Sequence, residues 1–521
     1  MQVGSVRTFR QLFMVCALCA AAILPSRLDA AENPADAVQQ TYIIRDIRYD
    51  ITGSTKQFAL RYRAGLKIGE ILAGKAALEE YLKEKNQLLH NERVLESASV
   101  DYVLGSPEAG AAPDSPIPVD LLVTTRDTWN IIALPYFKYD SSQGLELSLK
   151  GRDYNFFGTM EALRIDLGYS IDRDPLNARA FNEGAFFADV DINVPFALLN
   201  LDWYADFDHY IAYTSKGGPE YRNTTGIRLS LPYGPTTVNI GAYQGLSVNE
   251  KNGAKFRAVS GERYNEYWYL SNWLNANWVI PTGIKVNGFG ALQYIPGIEL
   301  KLNYRPGGAI GEERSGPTGN FNHRLAFGRI DWIGNYRRGL EASLGNTTSY
   351  NLYTAMYNRS VEFKISAHYP GASFFGVSSR VSAVYYADEA NGSAAAPIRG
   401  VMDDSVSADY AAYLNVDLPL RVIRFVPSRW FGKSWMRFFD FEQHWSPFVD
   451  VGLVNDTLHG RKFTPADAVV GGGLEVVTFP LFMRSLYLRI SLGFDLRKAV
   501  EIRGIPDGND RGIFIGLGHH Y

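Results

Sequence analysis

The chain has 521 residues, a net charge of −3 at pH 7, 13% aromatic and 21% charged side chains, and two cysteines. No basic patch is large enough to call for a nucleic-acid partner. Both cysteines, Cys16 and Cys19, lie near the start, so disulfides, cysteine nucleophiles and cysteine–metal sites are excluded from everything after them.

Residues 1–31 carry Arg7 and Arg10, an apolar run from Leu12 to Leu24, and Leu28-Asp29-Ala30 before Ala31. That is the pattern of a secretory signal peptide, so the mature chain is expected to be exported and free of thiols.

Residues 40–126 read as a small α+β module. Tyr42 to Tyr49 reads as a strand ended by Gly53, and helices are expected at 55–64 and 75–90. In the second helix Leu78, Tyr81, Leu82 and Lys85 fall at helical spacing, with Leu88 and Leu89 behind them, giving one face to pack on a sheet. A strand at 97–104, a Gly/Pro/Ala-rich loop at 105–118 and a strand from Val119 to Thr125 complete the module.

From Trp129 the pattern changes to repeated hairpins over 127–521. Strands are expected near 129–138, 144–153, 160–169, 185–194, 199–208, 224–231 and 236–245. More follow near 266–280, 284–293, 323–335, 339–348, 359–369 and 374–386, with five after residue 405, eighteen by direct count. Leu145, Leu147 and Leu149 alternate with Glu146, Ser148 and Lys150; Leu488, Ile490 and Leu492 alternate with Arg489, Ser491 and Gly493. Successive side chains of a strand point to opposite faces, so one face meets oil and the other tolerates charge. Charges recurring on one face suit a water-filled lumen and not a sandwich core. Between Trp268 and Trp278 a tilted strand covers roughly 25 Å along a membrane normal, the height of an outer-membrane apolar band. Tight connections at Phe157-Gly158-Thr159, Pro232 to Pro235, Pro281-Thr282-Gly283 and Arg337-Arg338-Gly339 alternate with long polar ones at 246–263, 294–322 and 387–408. Short turns at one rim and long loops at the other are the outer-membrane arrangement.

In order along the chain, the first module, Asn155-Phe156-Phe157-Gly158-Thr159, Ile398-Arg399-Gly400-Val401, Pro447-Phe448-Val449-Asp450-Val451-Gly452, Gly471-Gly472-Gly473-Leu474 and the ending Ile513 to Tyr521 form a series. That series resembles the superfamily of BamA, TamA and the two-partner-secretion transporters. The resemblance implies one periplasmic polypeptide-transport-associated (POTRA) domain of β-α-α-β-β order, then a transmembrane antiparallel β-barrel in the bacterial outer membrane. Family barrels have sixteen strands, and sixteen is the favoured expectation. Val401, where the family has an aromatic, and the single POTRA domain depart from the pattern.

The resemblance further implies that Ile398, Arg399, Gly400 and Val401 fold back into the barrel as a plug, with Arg399 paired to Asp450 and Glu475 a second partner. Alternation places Asp450 on one strand face with Phe448 and Gly452. Phe514, Gly516, Gly518 and Tyr521 are expected to form a C-terminal signal read by the barrel assembly machinery, and a weak seam against the first strand; alternatively Gly516 and Gly518 only relieve crowding. The edge strand at 42–50 or at 97–104 is expected to add an unfolded client through backbone hydrogen bonds. No phosphate-binding glycine loop or G-x-S-x-G elbow occurs, so no enzyme activity, cofactor or metal is expected. The reading is an outer-membrane protein, with outer-membrane lipids around it, that captures unfolded polypeptides and assists their insertion or translocation. The alternative is a passive porin or surface adhesin.

Overall fold

The structure is a computed structural model describing residues 40–106, 115–140, 144–174, 177–181, 184–199, 201–214, 218–248, 268–286, 290–308, 310, 316–388, 391–393, 397–401, 406–457, 460–504 and 511–517. The expected signal peptide with Cys16 and Cys19, and the terminal Gly518 and Tyr521, lie outside the described residues.

The N-terminal module runs β1 (Thr41–Thr52), α1 (Gln57–Ala64), β2 (Ile71–Ala73), α2 (Gly74–Asn91), β3 (Leu95–Leu104) and β4 (Ile117–Asp127), with sheet order β2-β1-β4-β3. β1 and β4 pair in parallel, a crossover that the two helices make possible. Leu78, Tyr81, Leu82, Lys85 and Leu89 form the buried face of α2 and pack with Ile44, Val119, Leu121 and Val123 of the sheet. The three-residue β2 is an addition to the expected order. Of the two expected edges, 97–104 is the outer strand β3, whose Val100 N–H and C=O already bond the Asn86 side chain. The 42–50 segment belongs to β1, which β2 covers only over Thr41 to Ile43.

The wall begins with β5 (Ile131–Asp140), β6 (Gly144–Asp153) and β7 (Leu163–Asp174), the last carrying a short hairpin partner, β8 (Asn177–Phe181). It continues through β9 (Ala185–Leu198), β10 (Leu201–Thr214), β11 (Gly218–Tyr233), β12 (Thr236–Val248), β13 (Trp268–Val286) and β14 (Gly290–Tyr304). β15 (Thr318–Ile333), β16 (Tyr336–Asn351), β17 (Met356–Ala372) and β18 (Phe375–Tyr386) follow. A loop then carries β19 (Asn391–Ser393) and β20 (Ser407–Ala408), before β21 (Tyr410–Asp417) and β22 (Leu420–Phe425). After a helical connection, with α3 (Pro427–Phe431), come β23 (Phe441–Asn455), β24 (Val469–Pro480) and β25 (Leu488–Asp495). Beyond α4 (Leu496–Ile502), β26 (Arg511–Leu517) closes the barrel against β5.

β7 pairs directly with β9, leaving β8 outside the ring, and β21 and β22 are two halves of one wall position between β18 and β23. The break falls at Pro419, which has no N–H to give the ladder. The described wall therefore has eighteen strands. The favoured sixteen, taken from the resemblance, is corrected to the direct count of eighteen, although the segment expected at 284–293 runs from the end of β13 into β14.

Two expected turns are also corrected. Pro281-Thr282-Gly283 lies inside β13 at a bulge between Pro281 and Lys285, with Gly283 at φ +80°; Arg337-Arg338-Gly339 lies inside β16, after a turn at Gly334. At Gly283 a bulge asks for the same left-handed glycine as a turn, so the local signal is ambiguous, whereas Gly339 sits in unbroken pairing with Ile330 and His368. Likewise the loop expected from 294 starts after Tyr304, because β14 runs through Pro296-Gly297.

Along β24 and β25, Leu474, Leu488, Ile490 and Leu492 are exposed on the outer face, while Glu475, Arg489 and Ser491 are buried inside. The N-terminal module packs across one mouth. Lys56 N–H donates to Gly158 O (2.8 Å), Asn155 Nδ2 donates to Thr55 Oγ1 (2.7 Å) and Arg63 Nη2 to Glu161 Oε1 (2.8 Å), all at the β6–β7 turn. Asn91 Nδ2 donates to Asp331 Oδ1 (2.9 Å) and its Oδ1 accepts from Trp332 N–H (3.0 Å), at the β15–β16 turn. Arg484 Nη1, from the β24–β25 turn, donates to Leu95 O (2.9 Å). Eight wall positions separate the first turn from the second, so the module bridges distant arcs of the ring.

Candidate functional site: a clamped loop inside the barrel

The loop between β18 and β21 returns to the inner wall, and its tip sits against β21, β23, β24 and β25. Arg399 binds Asp450 in a bidentate pair, Nε to Oδ2 and Nη2 to Oδ1, each 2.8 Å, while its own backbone N–H donates to Asp450 Oδ2 (2.9 Å). Nη1 donates to Asp417 Oδ1 (2.7 Å) and lies 3.6 Å from Glu475 Oε2. Glu475 in turn lies 3.5 Å from Arg489 Nη1. The guanidinium stands 3.7 Å above the Phe448 ring. Arg399 is 8% exposed and Asp450 0%, so neither charge is met by bulk water and each depends on the other.

This arrangement follows from alternation. Asp417, Asp450, Glu475 and Arg489 each occupy an inward position on one of four successive wall strands, and β pairing sets Asn415 opposite Asp450 and Asp417 opposite Phe448. A planar guanidinium satisfies two carboxylates at once, which a point-charge ammonium does less well.

Backbone contact is as close as the ion pairs. Gly400 has φ +88°, a conformation that costs an L side chain strain, and a Cβ there would overlap the backbone of Phe494. Cβ atoms built on Gly471 and Gly493 would run into the backbone of Arg399 and Gly400, and one on Gly452 into Ile398 Cδ1. Ile398 is buried with Val406, Ala408, Ala411, Tyr413, Val454 and Val469, and Val401 packs against the same cluster. The far end of the loop is tied by Asp456, which accepts from Ser407 N–H (3.0 Å) and Ser407 Oγ (2.7 Å). Beneath the cluster a cavity of about 60 Å³ reaches from Arg399 and Asp417 to Tyr336, His444 and Phe479, room for water but not for a chain.

The structure thus brings together Ile398, Arg399, Gly400, Val401, Phe448, Asp450, Gly452 and Glu475. Asp417, Arg489, Gly471 and Gly493 belong to the same assembly; Gly471 opens the Gly471-Gly472-Gly473-Leu474 motif, and the other three carry no separate sequence signal beyond inward parity on their strands. Phe514 and Gly516 lie elsewhere, on β26, at register positions opposite Ser491 and Arg489. The Asn155 turn acquires a structural reason. Its side chain joins Thr55, Ser54 and Asp127, and a Cβ on Gly158 would overlap Ser54 O, so the motif is where the module meets the wall.

A half-buried arginine marks the mouth. Arg93 donates through Nε to Arg484 O and through Nη2 to Asn335 Oδ1 (3.1 Å), and its guanidinium lies 4.3 Å from the Trp332 ring centre and 5.7 Å from that of Phe479. Burial, then the neighbouring Arg484, push its pKa down to about 10.

No protein-family model and no curated protein matches the chain. Among solved structures it is similar to CdiB from Acinetobacter baumannii, at 14% identity and TM-score 0.46 over 91% of this chain and 74% of that one. It is also similar to BamA from Haemophilus ducreyi lacking POTRA domains 1-3, at 12% identity and TM-score 0.34 over 92% and 84%. For CdiB from Escherichia coli the values are 10% and 0.39 over 95% and 92%. These TM-scores lie below 0.5, and the barrel fold is taken from the strand pairing itself.

Proposed function

We propose that this chain is an outer-membrane protein that binds unfolded polypeptide at its N-terminal module, on the periplasmic side, and assists its insertion into, or passage across, the membrane. The observation that carries the reading is the module itself: a sheet with an uncovered edge, held across the mouth of a barrel whose lumen carries a clamped loop. A passive pore has use for neither. Beyond Ile44, β1 has no strand on its outer side among the described residues, and an extended client adding there gains backbone hydrogen bonds with little sequence preference. Insertion needs no nucleotide, because burying a client's lipid-facing side chains and closing its hydrogen bonds is downhill. We read the protein as non-enzymatic, and as itself a client of the barrel assembly machinery through its last strand.

The test is quantitative proteomics of outer membrane and culture fluid with the protein present and removed. Loss of particular barrel proteins from the membrane is the outcome for an insertase; loss of particular chains from the fluid alone is the outcome for a translocator. Unchanged proteomes with altered small-solute uptake would replace the reading with a porin.

A further inference from the structure

The connection between β22 and β23, on the module's side of the barrel, combines cations with exposed aromatics. Residues 426–440 carry Arg429, Lys433 and Arg437 against one acidic residue, Asp440, with Trp430, Phe431, Trp435, Phe438 and Phe439 interleaved, and Arg421 and Arg424 precede them on β22. All five of these aromatics are exposed, Trp430 at 63% and Trp435 at 57%. They are nonetheless held in place. Asp440 accepts from Ser428 N–H (3.1 Å), Leu481 N–H donates to Asp440 O (2.8 Å), and Gly432 at φ +65° turns the chain between α3 and the 3-10 turn Ser434–Phe439. Trp430 meets Phe425 edge-on at 5.1 Å, and Phe438 meets Trp129 at 6.3 Å and Phe482 at 5.2 Å.

Two observations say what covers this surface. The exposed aromatics continue the apolar outer face of the neighbouring wall, where Leu414, Val416, Val422, Trp445 and Val449 are exposed and Trp129 and Ile131 flank β5 across the closure. Of the cations, Arg437 faces Glu96 (3.2 Å) and Arg424 lies 3.8 Å from Glu442, whereas no ion pair holds Arg429 or Lys433 among the described residues. Rigid aromatics at the rim of an apolar band, with unpaired cations beside them, are the chemistry of a headgroup layer: rings sit at the acyl boundary and long basic side chains reach outward to phosphate.

We propose that the β22–β23 connection is an interfacial anchor that binds anionic phospholipid in the leaflet on the module's side of the membrane. This rests on the outer-membrane reading above. The anchor stands next to the module through Arg437 and Glu96, so lipid bound there also fixes the membrane depth at which the module sits.

The test uses the full chain reconstituted into vesicles of phosphatidylethanolamine with or without phosphatidylglycerol. With no thiol in the expected mature chain, single cysteines take a fluorophore cleanly: Trp435→Cys at the anchor, Val449→Cys on the mid-wall and Ile68→Cys on the module. The expected result is strongest quenching of the Trp435→Cys label by shallow lipid quenchers, of the Val449→Cys label by deep ones, and none of the Ile68→Cys label. Phosphatidylglycerol co-purifying with the unlabelled protein should be enriched at least twofold over the bulk bilayer, and return to bulk in Arg429→Gln/Lys433→Gln. An unquenched Trp435→Cys label beside a quenched Val449→Cys label would place the aromatics in water, facing a protein partner, and overturn the anchor. Enrichment unchanged in the double variant would overturn the anionic headgroup. An unquenched Val449→Cys label would instead overturn the membrane reading on which the anchor rests.

Discussion

Arg399, buried in the barrel, and Arg93, half-buried where the module meets the mouth, are held by opposite means. Arg399 meets Asp450 and Asp417 directly and has Glu475 nearby. Among the described residues, Arg93 meets carbonyl oxygens of the wall turns, the Asn335 amide oxygen and two ring faces. A desolvated charge facing carboxylates is costly to withdraw, because the carboxylates are left behind unpaired. A charge facing neutral dipoles leaves nothing charged behind, and its lowered pKa shows that burial already works against it. The loop tip is thus clamped by charge pairs, whereas the Arg93 contact, one of several between module and mouth, separates at lower cost.

Breaking the clamp should have the largest effect. Arg399→Ala is expected to cost about 3–5 kcal/mol by stranding buried carboxylates, read as a lower thermal transition of the folded barrel and a rise in permeability to large antibiotics. Arg399→Ala/Asp450→Ala should lose less than the sum of the single variants; full additivity would show that the two side chains do not share one interaction. Next is the glycine cradle. Gly471→Val forces a side chain into the Arg399 backbone and is expected to cost about 1–3 kcal/mol, with protease cleavage in the 387–408 loop as its readout. Resistance equal to the parent chain would mean that the tip is not pressed against β24.

At the mouth, Arg93→Ala is expected to weaken docking by about 1–2 kcal/mol. Amide hydrogen exchange should rise at residues 93–96 and 331–335 while the barrel transition stays put; a matching fall in barrel stability would erase the contrast between the two arginines. The smallest effect concerns the module alone. Arg45 hydrogen-bonds Asp120 in two contacts of 2.8 and 2.6 Å and holds its carboxyl below the ordinary carboxylate range. Its contribution is therefore present above the unfolded-state pKa and lost as pH falls through the lower folded one, below about pH 4. Acid unfolding of the chain carrying Asp120→Asn should lack that final step.

Much of this was legible from residues in a row. Alternation gave the count of eighteen wall strands while misplacing β14, the helical spacing of Leu78, Tyr81, Leu82 and Lys85 named the buried face of α2, and parity alone turned Asp450 inward beside Phe448 and Gly452. These are properties of one strand or one helix, set by side-chain periods of 2 and 3.6. Turn positions were less legible, as Gly283 shows, because a left-handed glycine serves a bulge as well as a hairpin.

What lay beyond the linear pattern is whatever depends on which strands become neighbours. Asp417, Arg489 and Gly493 look like any inward residues until pairing of β21, β23, β24 and β25 sets them around one loop tip. The same holds for Arg93, more than 200 residues from Trp332 and nearly 400 from Arg484, and for the run at 426–440, whose aromatics acquire a meaning only at a rim. A chain specifies faces locally through sterics and period. Partners at long separation are chosen by closure of the barrel, which leaves one register in which every backbone group is paired.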